Sequence, residues 1–375
     1  MAKEKKTIEK PALPPIMNDA SNAFMRKYLN THSPVGFESS GQKVWLDYVM
    51  PYADEKITDP YGTAVAVINP GKEFKVVLEA HADEISWFVN YIGDNGLMYL
   101  KRNGGVDHQI APSKRVWIHG KKGPVKGVFG WPAIHTRLAA VGEKEATPKP
   151  ENLWLDTGAR TKKEVEDLGI HIGNVVTYED GYDELAYDFL IGRAFDNRIG
   201  GVMIAEVARL LKENNIELPY TLYIVNAVQE EIGLRGSEMI ARRLKPNVAI
   251  ITDVTHDTTT PMINKQIQGD TACGKGPSLT FGPAVHNKLL DLIRDVADKN
   301  KIDVQLHTVS RSTGTDTDSF AYANDGCPSA LISIPLRYMH TTVEMLHRSD
   351  IEATIKLMYE TVLTLKPETN LSYFD

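Results

Sequence analysis

The segment from Thr221 to Ser237 constrains the fold of this chain more than any other stretch. It begins with an almost unbroken apolar run, Leu222 to Val228, which has the length of one strand. Because polar residues do not alternate with apolar ones, this run is typical of a strand that is buried on both faces of a sheet. Two adjacent carboxylates, Glu230 and Glu231, follow it. The segment therefore predicts a buried strand with acidic side chains at its carboxyl end.

Two carboxylates at the end of a strand are well placed for chemistry. In open α/β sheets, ligands bind just beyond the carboxyl ends of the strands. Neighbouring carboxylates repel each other, and ionising both costs free energy unless a cation or a shared proton offsets it. In an isolated pair, one Glu usually points to solvent while the other caps a helix. The remaining sequence decides between that arrangement and a metal site.

Other strand-like runs also end beside side chains that can bind metals. The run from Glu73 to Ala80 is followed by His81, and the run NVAIITDV carries Asp253 at its carboxyl end, as its next-to-last residue. The last apolar run, Ala330 to Ile334, precedes His340. Each of these residues alone could be structural. If all of them were structural, a residue able to bind metal would have to follow each of these strands by coincidence.

Two aspartates extend this group. Asp196 stands where a helical pattern begins, a position at which a helix N-cap would be enough to explain it alone. Asp83 lies two residues after His81, so it can accept a hydrogen bond from the second ring nitrogen of a metal-bound histidine and fix its tautomer. Two imidazoles with several carboxylates form a donor set suited to zinc, cobalt or manganese. Two ions about 3.5 to 4 Å apart could share one carboxylate.

A glycosidase is the alternative that the pair of glutamates permits. Glu230 and Glu231 would then be the acid and the nucleophile. A retaining glycosidase needs its two carboxyl groups about 5 to 5.5 Å apart across the sugar, whereas adjacent residues at a strand end tend to diverge. This alternative also leaves the histidines unexplained. A non-catalytic scaffold with the same fold is a second alternative.

Composition excludes several classes of partner. The net charge is -7, so the chain has no excess of lysine and arginine to neutralise nucleic acid or an anionic membrane surface. The chain contains only Cys273 and Cys327, in no CxxC arrangement, which is typical of a reducing compartment. The N-terminus is charged and rich in proline, unlike a signal peptide. We therefore expect a cytoplasmic protein with no nucleic-acid or membrane partner.

The length of 375 residues predicts two domains or one domain with a large insertion. Between residues 90 and 189, short β-like runs alternate with Gly, Pro and Asn turns. This texture predicts a β-rich domain inserted into an α/β domain formed by residues 16–89 and 190–375. Residues 1–15 are expected to form a flexible extension.

Six motifs in this order resemble the M42 family of metallo-aminopeptidases, which includes the tetrahedral (TET) and glutamyl aminopeptidases. They are HADEIS, GRAFDNRIG, VQEEIGLRGS, ITDVTHD, the Gly-Lys-Gly-Pro turn and SIPLRYMH. The similarity covers nearly the whole chain, including the SPVGFES turn. The resemblance implies an α/β fold with a central mixed β-sheet flanked by helices, and an inserted β-rich domain that mediates dimerisation.

The resemblance also implies two divalent metal ions per subunit, with zinc expected first and cobalt or manganese as alternatives. Asp196 would bridge the two ions. His81 and Asp253 would complete one site. Glu231 and His340 would complete the other.

Glu230 would then be the general base, and Asp83 would orient His81. The implied enzyme is an aminopeptidase that hydrolyses the N-terminal residue from short peptides through a water molecule activated by the two ions. In many members of the family, dimers assemble into closed twelve-subunit shells, so the resemblance implies a homo-oligomer. Every implied ligand and the base are present in this chain, which argues against the non-catalytic scaffold.

Two segments depart from the family pattern. After His340 the family usually has Ser-Pro, whereas this chain has Thr341 and Thr342. The segment Gly314 to Ala323, GTDTDSFAYA, replaces a version with smaller side chains. We expect this second segment to influence specificity.

Overall fold

The computed structural model describes residues 15–136 and 147–374. Its principal helices are α1 (Asp19–Asn30), α2 (Ser39–Val49), α3 (Lys162–Asp167), α4 (Phe195–Glu213), α5 (Arg235–Leu244), α6 (Lys265–Gln268), α7 (Asn287–Asn300), α8 (Thr317–Ala321) and α9 (Arg348–Thr364). Its strands are β1 (Glu55–Thr58), β2 (Ala64–Ile68), β3 (Lys75–His81), β4 (Ser86–Ile92), β5 (Met98–Asn103), β6 (Arg115–Gly120), β7 (Gly123–Gly130), β8 (Trp154–Asp156), β9 (Val175–Tyr178), β10 (Asp183–Glu184), β11 (Phe189–Gly192), β12 (Thr221–Ala227), β13 (Val248–His256), β14 (Ser278–Phe281), β15 (Gln305–Thr308), β16 (Ser329–Leu336) and β17 (Glu344–His347).

The centre of the molecule is an eight-stranded sheet in the order β1-β2-β12-β3-β13-β16-β14-β15. Strands β12, β3, β13 and β16 run parallel, whereas β2 and β14 pair antiparallel with their neighbours in this group. Strand β12 is buried along almost its whole length, as its lack of alternation predicts. The predicted central mixed sheet flanked by helices is confirmed.

Helix α4 packs against the sheet through Gly200 and Gly201, where there is no room for a side chain. A Cβ atom on Gly200 would come within 2.8 Å of the Ala80 Cβ on β3. A Cβ atom on Gly201 would come within 2.9 Å of Asn226 Oδ1 on β12. Helix α4 also contacts α1, α2 and α9. The two glycines therefore bring the start of this helix, which carries Asp196, towards the carboxyl ends of the strands.

Six antiparallel strands form a separate closed barrel in the order β4-β5-β8-β7-β6-β9. The barrel has its own apolar core, in which Trp87 packs edge-on against Phe129. It begins at Ser86, before the predicted boundary at residue 90, and its last strand ends at Tyr178, before the predicted boundary at residue 189. The division of the chain into domains stays a prediction, and the predicted extension over residues 1–15 lies, apart from Pro15, outside the described residues.

None of the helices in residues 15–136 and 147–374 has the length and apolar character needed to cross a bilayer.

A polar network joins barrel strand β9 to three loop residues outside the barrel. Arg193 Nε lies 2.9 Å from the buried Glu84 Oε2, and a second nitrogen of Arg193 donates to His32 Nδ1 at 2.8 Å. His32 Nδ1 also lies 2.9 Å from Thr177 Oγ1 on barrel strand β9. Burial, together with the positive charge of Arg193, lowers the pKa of His32 to about 3. His32 is therefore neutral in the folded protein at neutral pH.

The neutral His32 predicts a loss of stability in acid. Between about pH 6.5 and pH 3 the unfolded chain binds a proton at His32 that the folded chain does not, so the free energy of unfolding falls as the pH falls. The loss from this group is about 2 kcal/mol at pH 5 relative to neutral pH. Urea unfolding of the wild type and of His32→Asn at pH 7.5 and pH 5 measures it. The variant should lose about 2 kcal/mol less than the wild type, and an equal loss in both proteins would contradict the prediction.

Candidate metal centre

Parallel pairing gathers the predicted site residues at one edge of the sheet. Strands β3 and β12 run parallel, with His81 opposite Ala227 in their register. Strand β13 lies on the other side of β3 and carries Asp253 near its carboxyl end. Because the carboxyl ends of parallel strands meet at the same edge, His81, Asp253 and the glutamates after β12 face a common space.

The first half of the cluster surrounds His81. Its Nε2 atom lies 3.2 Å from Asp196 Oδ1, 3.8 Å from Glu230 Oε2 and 3.9 Å from Asp253 Oδ1. The histidine is only 2% exposed. One imidazole nitrogen therefore faces three carboxylates.

The second half of the cluster surrounds His340. Its Nε2 atom lies 3.2 Å from Asp196 Oδ2 and 3.4 Å from Glu231 Oε2. The two oxygens of Asp196 thus face different histidines, Oδ1 towards His81 and Oδ2 towards His340. Asp196 is the only one of the predicted ligands with such a position between the two halves.

Asp83 holds the backbone that carries the two glutamates. Its two carboxylate oxygens accept hydrogen bonds from the backbone N–H groups of Glu230 at 3.0 Å and Glu231 at 3.1 Å. Its Oδ1 also lies 3.3 Å from His81 Nδ1. Asp83 is fully buried, so these contacts are not exposed to competition from solvent. One carboxylate therefore holds the backbone of both glutamates and lies beside the histidine.

A second supporting carboxylate, Glu38, was not predicted from the sequence. It is 2% exposed and accepts hydrogen bonds from the backbone N–H groups of Gly36, at 2.6 Å, and of Gln229. Gln229 has left-handed backbone angles, φ 58° and ψ 36°, directly before the two glutamates. Successive N–H groups in such a turn form a concave site for oxygen acceptors, which Asp83 and Glu38 occupy. Burial, together with the charge of Asp83, raises the pKa of Glu38 to about 8. The signal in the sequence was an acidic residue within the SPVGFES turn.

A third supporting carboxylate, Glu344, was also missed as a site residue. One of its oxygens accepts from the backbone N–H of His340 at 2.8 Å, and the other accepts from the backbone N–H of Asp196 at 3.1 Å. His340 has a positive φ of 61°, which is uncommon outside glycine and is held here by this contact. Glu344 therefore couples the backbones of two predicted ligands.

Burial and charge shift the pKa values of this cluster strongly. Burial opposes protonation of His340, but Asp196 and Glu231 outweigh it and raise the pKa of His340 to about 11. Burial would raise the pKa of Asp196, but hydrogen bonds from the two histidines hold it well below the usual range. Burial, reinforced by repulsion from Asp196, raises the pKa of Glu231 and of Asp253.

Burial is the main cause that raises the pKa of Glu230 to about 11; the attraction of His81 opposes this shift, and repulsion from Asp316, Asp253 and Glu231 adds to it. The cluster thus holds more carboxylates than its two imidazoles can neutralise. A divalent cation would offset this repulsion. Donor atoms of His81, Asp196 and Glu231 all lie within 4.8 Å of one another. Their nitrogen and oxygen donors fit the metal ions that the sequence implies.

A cavity of about 560 Å³ opens directly onto the cluster. Asp196, Glu230, Glu231, Asp253 and His340 all line it. Its remaining wall includes the chain segment from Ser312 to Thr315. A small molecule or the end of a peptide can therefore reach four of the five predicted ligands together with the predicted base, whereas His81 does not line the cavity.

Comparisons with known proteins show the family of this chain. Residues 62–357 match the family described as M42 glutamyl aminopeptidase. A lysyl aminopeptidase from Pyrococcus furiosus is 31% identical over 345 residues, which cover 92% of this chain and 97% of that protein.

Solved structures show the same architecture. A TET aminopeptidase from Thaumarchaeota archaeon SCGC AB-539-E09 superposes with a TM-score of 0.88 at 29% identity, covering 93% of this chain and 98% of that one. The TET1 peptidase of Pyrococcus horikoshii, described as able to assemble into a tetrahedron or a large octahedral shell, has a TM-score of 0.81 at 24% identity over 92% of this chain and 100% of that one. With the family match over most of its length, the chain belongs to the M42 family and is an aminopeptidase, a hydrolase that removes residues from the N-terminus of peptides.

Proposed function

We propose that this aminopeptidase works with two divalent metal ions, zinc being the first choice and cobalt or manganese the alternatives. The ions would be held by His81, Asp196, Glu231, Asp253 and His340. The observation that carries this proposal is the position of Asp196, whose two oxygens each lie 3.2 Å from the Nε2 atom of a different histidine. A carboxylate in that position suits the bridging role in a two-metal site.

When bound, the ions would polarise the carbonyl group of the first peptide bond and lower the pKa of the attacking water. Glu230 is the general base of the proposal. It faces the same cavity as the ligands and takes the proton of the water, then gives it to the amine of the leaving peptide. The positive charge of bound ions would oppose the repulsion from the neighbouring carboxylates and keep Glu230 ionised, so that it can accept the proton.

Asp83 and Glu38 keep Glu230 in place during this proton transfer. They receive the N–H groups of three consecutive residues, Gln229 to Glu231, so the turn that carries the base has little freedom to move. Asp83 is also close enough to His81 to orient its ring. The negative charge of the cluster favours a substrate with a protonated or metal-binding amino terminus.

We also propose a cytoplasmic homo-oligomer that acts on short peptides. The support is the likeness to a shell-forming relative, together with apolar side chains exposed on the barrel segment, among them Val128 and Ile172. Dimerisation through the barrel and assembly of the dimers into a dodecamer would admit only short, unfolded peptides. Both cysteines are free, in keeping with a reducing compartment. Light scattering tests the assembly, and a monomeric mass would refute it.

Removal of metal tests the function directly. Dialysis against a chelator should abolish hydrolysis of aminoacyl fluorogenic substrates, and added zinc, cobalt or manganese should restore it. An N-acetylated copy of a good peptide substrate should resist cleavage, because the free amino terminus is part of what the site recognises. Metal dependence would be refuted if the protein kept full activity after its metal content had fallen below about one ion in ten subunits. A glycosidase is not proposed, because it would leave His81 and His340 without a role.

A further inference from the structure

The cavity beside the metal centre contains one carboxylate that the proposed chemistry does not use. Asp318 lines this cavity from helix α8 and is partly buried. It belongs to the segment Gly314 to Ala323, which departs from the family pattern. Its position on the cavity wall makes it a candidate for contact with the first side chain of the substrate.

The Asp318 side chain is held in a fixed position. Its two oxygens lie 3.1 and 3.0 Å from the backbone nitrogen of Thr313, which donates a hydrogen bond to them. One of these oxygens also lies 3.4 Å from the backbone nitrogen of Gly314. A carboxylate has about four acceptor positions, so capacity remains for a donor in the cavity. The loop therefore presents a preoriented acceptor to the substrate.

No fixed positive charge balances Asp318 in this wall. Among the described residues that line the cavity, none is lysine or arginine. The nearby side chains are hydroxyls or apolar groups, with two histidines at the same wall: Leu234, Val254, Thr255, His256, His307, Ser312, Thr313, Thr315 and Met339. Burial, together with neighbouring His256, lowers the pKa of His307, so its ring is neutral at neutral pH.

We propose that Asp318 selects peptides whose first residue has a positively charged side chain, lysine or arginine. This inference rests on the proposed function, because the first residue of the substrate must lie beside the metal centre. An ammonium or guanidinium group would pair with Asp318, and donors on a cation make stronger hydrogen bonds to a carboxylate than neutral donors do. The side chain of an acidic first residue would be repelled by Asp318, and no lysine or arginine in the described cavity wall would pair with it.

The test compares substrates that differ only in the first side chain. For the metal-loaded wild type, kcat/KM should be highest for lysyl and arginyl fluorogenic amides, lower for leucyl and lowest for glutamyl. The Asp318→Asn variant should lose about tenfold in kcat/KM for the lysyl and arginyl substrates, the effect expected for one enclosed ion pair. Its activity on the leucyl substrate should change less than about twofold, because asparagine can still accept the hydrogen bond from Thr313.

Asp325→Asn is the matched control, because Asp325 is an exposed carboxylate a few residues further along the chain and does not line the cavity. It should leave all four rates unchanged. Equal loss on every substrate in Asp318→Asn, or a wild type that prefers glutamyl over lysyl amides, would overturn the inference. The wild-type order tests it even if the variant does not fold. If the metal-loaded wild type cleaves none of the four amides, the proposed function fails and this inference falls with it.

Discussion

Replacement of Glu230 by glutamine should lower kcat by about a hundredfold to ten-thousandfold, the contribution expected of a positioned general base. Glutamine has the same size, and its backbone N–H can still donate to Asp83, so the turn should keep its conformation. The amide cannot take a proton from water. The content of bound metal and the dissociation constant of a non-hydrolysable peptide analogue should stay close to the wild-type values. Steady-state kinetics, metal analysis by mass spectrometry and calorimetry measure these quantities.

Glu231→Gln is the matched control for this experiment. Glu231 is adjacent in the sequence, and its N–H donates to the same Asp83, but its carboxylate lies 3.4 Å from His340 Nε2 and is a proposed ligand. This variant should lose metal affinity as well as turnover. Unchanged turnover in Glu230→Gln would remove Glu230 from the mechanism. Loss of metal in Glu230→Gln, with metal retained in Glu231→Gln, would mean that the two glutamates have exchanged roles.

The sequence predicted the part of the site that depends on strand ends. Strands β3, β12 and β13 are apolar enough to be recognised as buried, and parallel pairing brings their carboxyl ends together whatever the details of the loops. His81, Glu230 and Asp253 could therefore be placed near one another from their positions after these strands. The resemblance to a known family supplied what spacing could not, the assignment of a separate role to each residue.

The supporting carboxylates could not be predicted in the same way. Glu38 and Glu344 accept hydrogen bonds from backbone N–H groups, and the direction of those groups depends on the left-handed conformations of Gln229 and His340. Left-handed backbone at residues other than glycine has no clear signature in a single sequence. The closed barrel could not be predicted either, because β-like runs predict strands but not which strands pair with each other.

The direction of the Asp318 side chain, on the wall of the cavity beside the metal centre, could not be predicted from the sequence either. The sequence marked Gly314 to Ala323 as unusual, but it did not indicate whether the added carboxylate faces the cavity or solvent. Its direction is set by hydrogen bonds to Thr313 and Gly314, which precede it in a loop. The sequence therefore showed that this segment is unusual, but the structure was needed to propose an effect on the charge of the preferred substrate.

Replacement of Asp196 by asparagine should reduce the affinity for both metal ions and lower kcat/KM by at least about a thousandfold. The magnitude follows from losing several kcal/mol of metal-supplied stabilisation of the transition state, at about 1.4 kcal/mol for each factor of ten. Both oxygens of Asp196 contribute to the predicted centre, because each faces a different histidine at 3.2 Å. Its backbone N–H would still donate to Glu344, so the helix start should remain in place.

Asp253→Asn separates a bridging ligand from a ligand to a single ion. Asp253 Oδ1 lies 3.9 Å from His81 Nε2, so Asp253 belongs to the half of the cluster around His81. Its replacement should weaken the binding of the ion on that side and leave the ion beside His340 bound. Metal analysis at a limiting concentration of free zinc should therefore find about one ion per subunit in Asp253→Asn and close to none in Asp196→Asn, as a shared carboxylate requires. If the two variants retain the same number of ions, Asp196 serves only one of them, and the two halves of the centre must be held together by another residue.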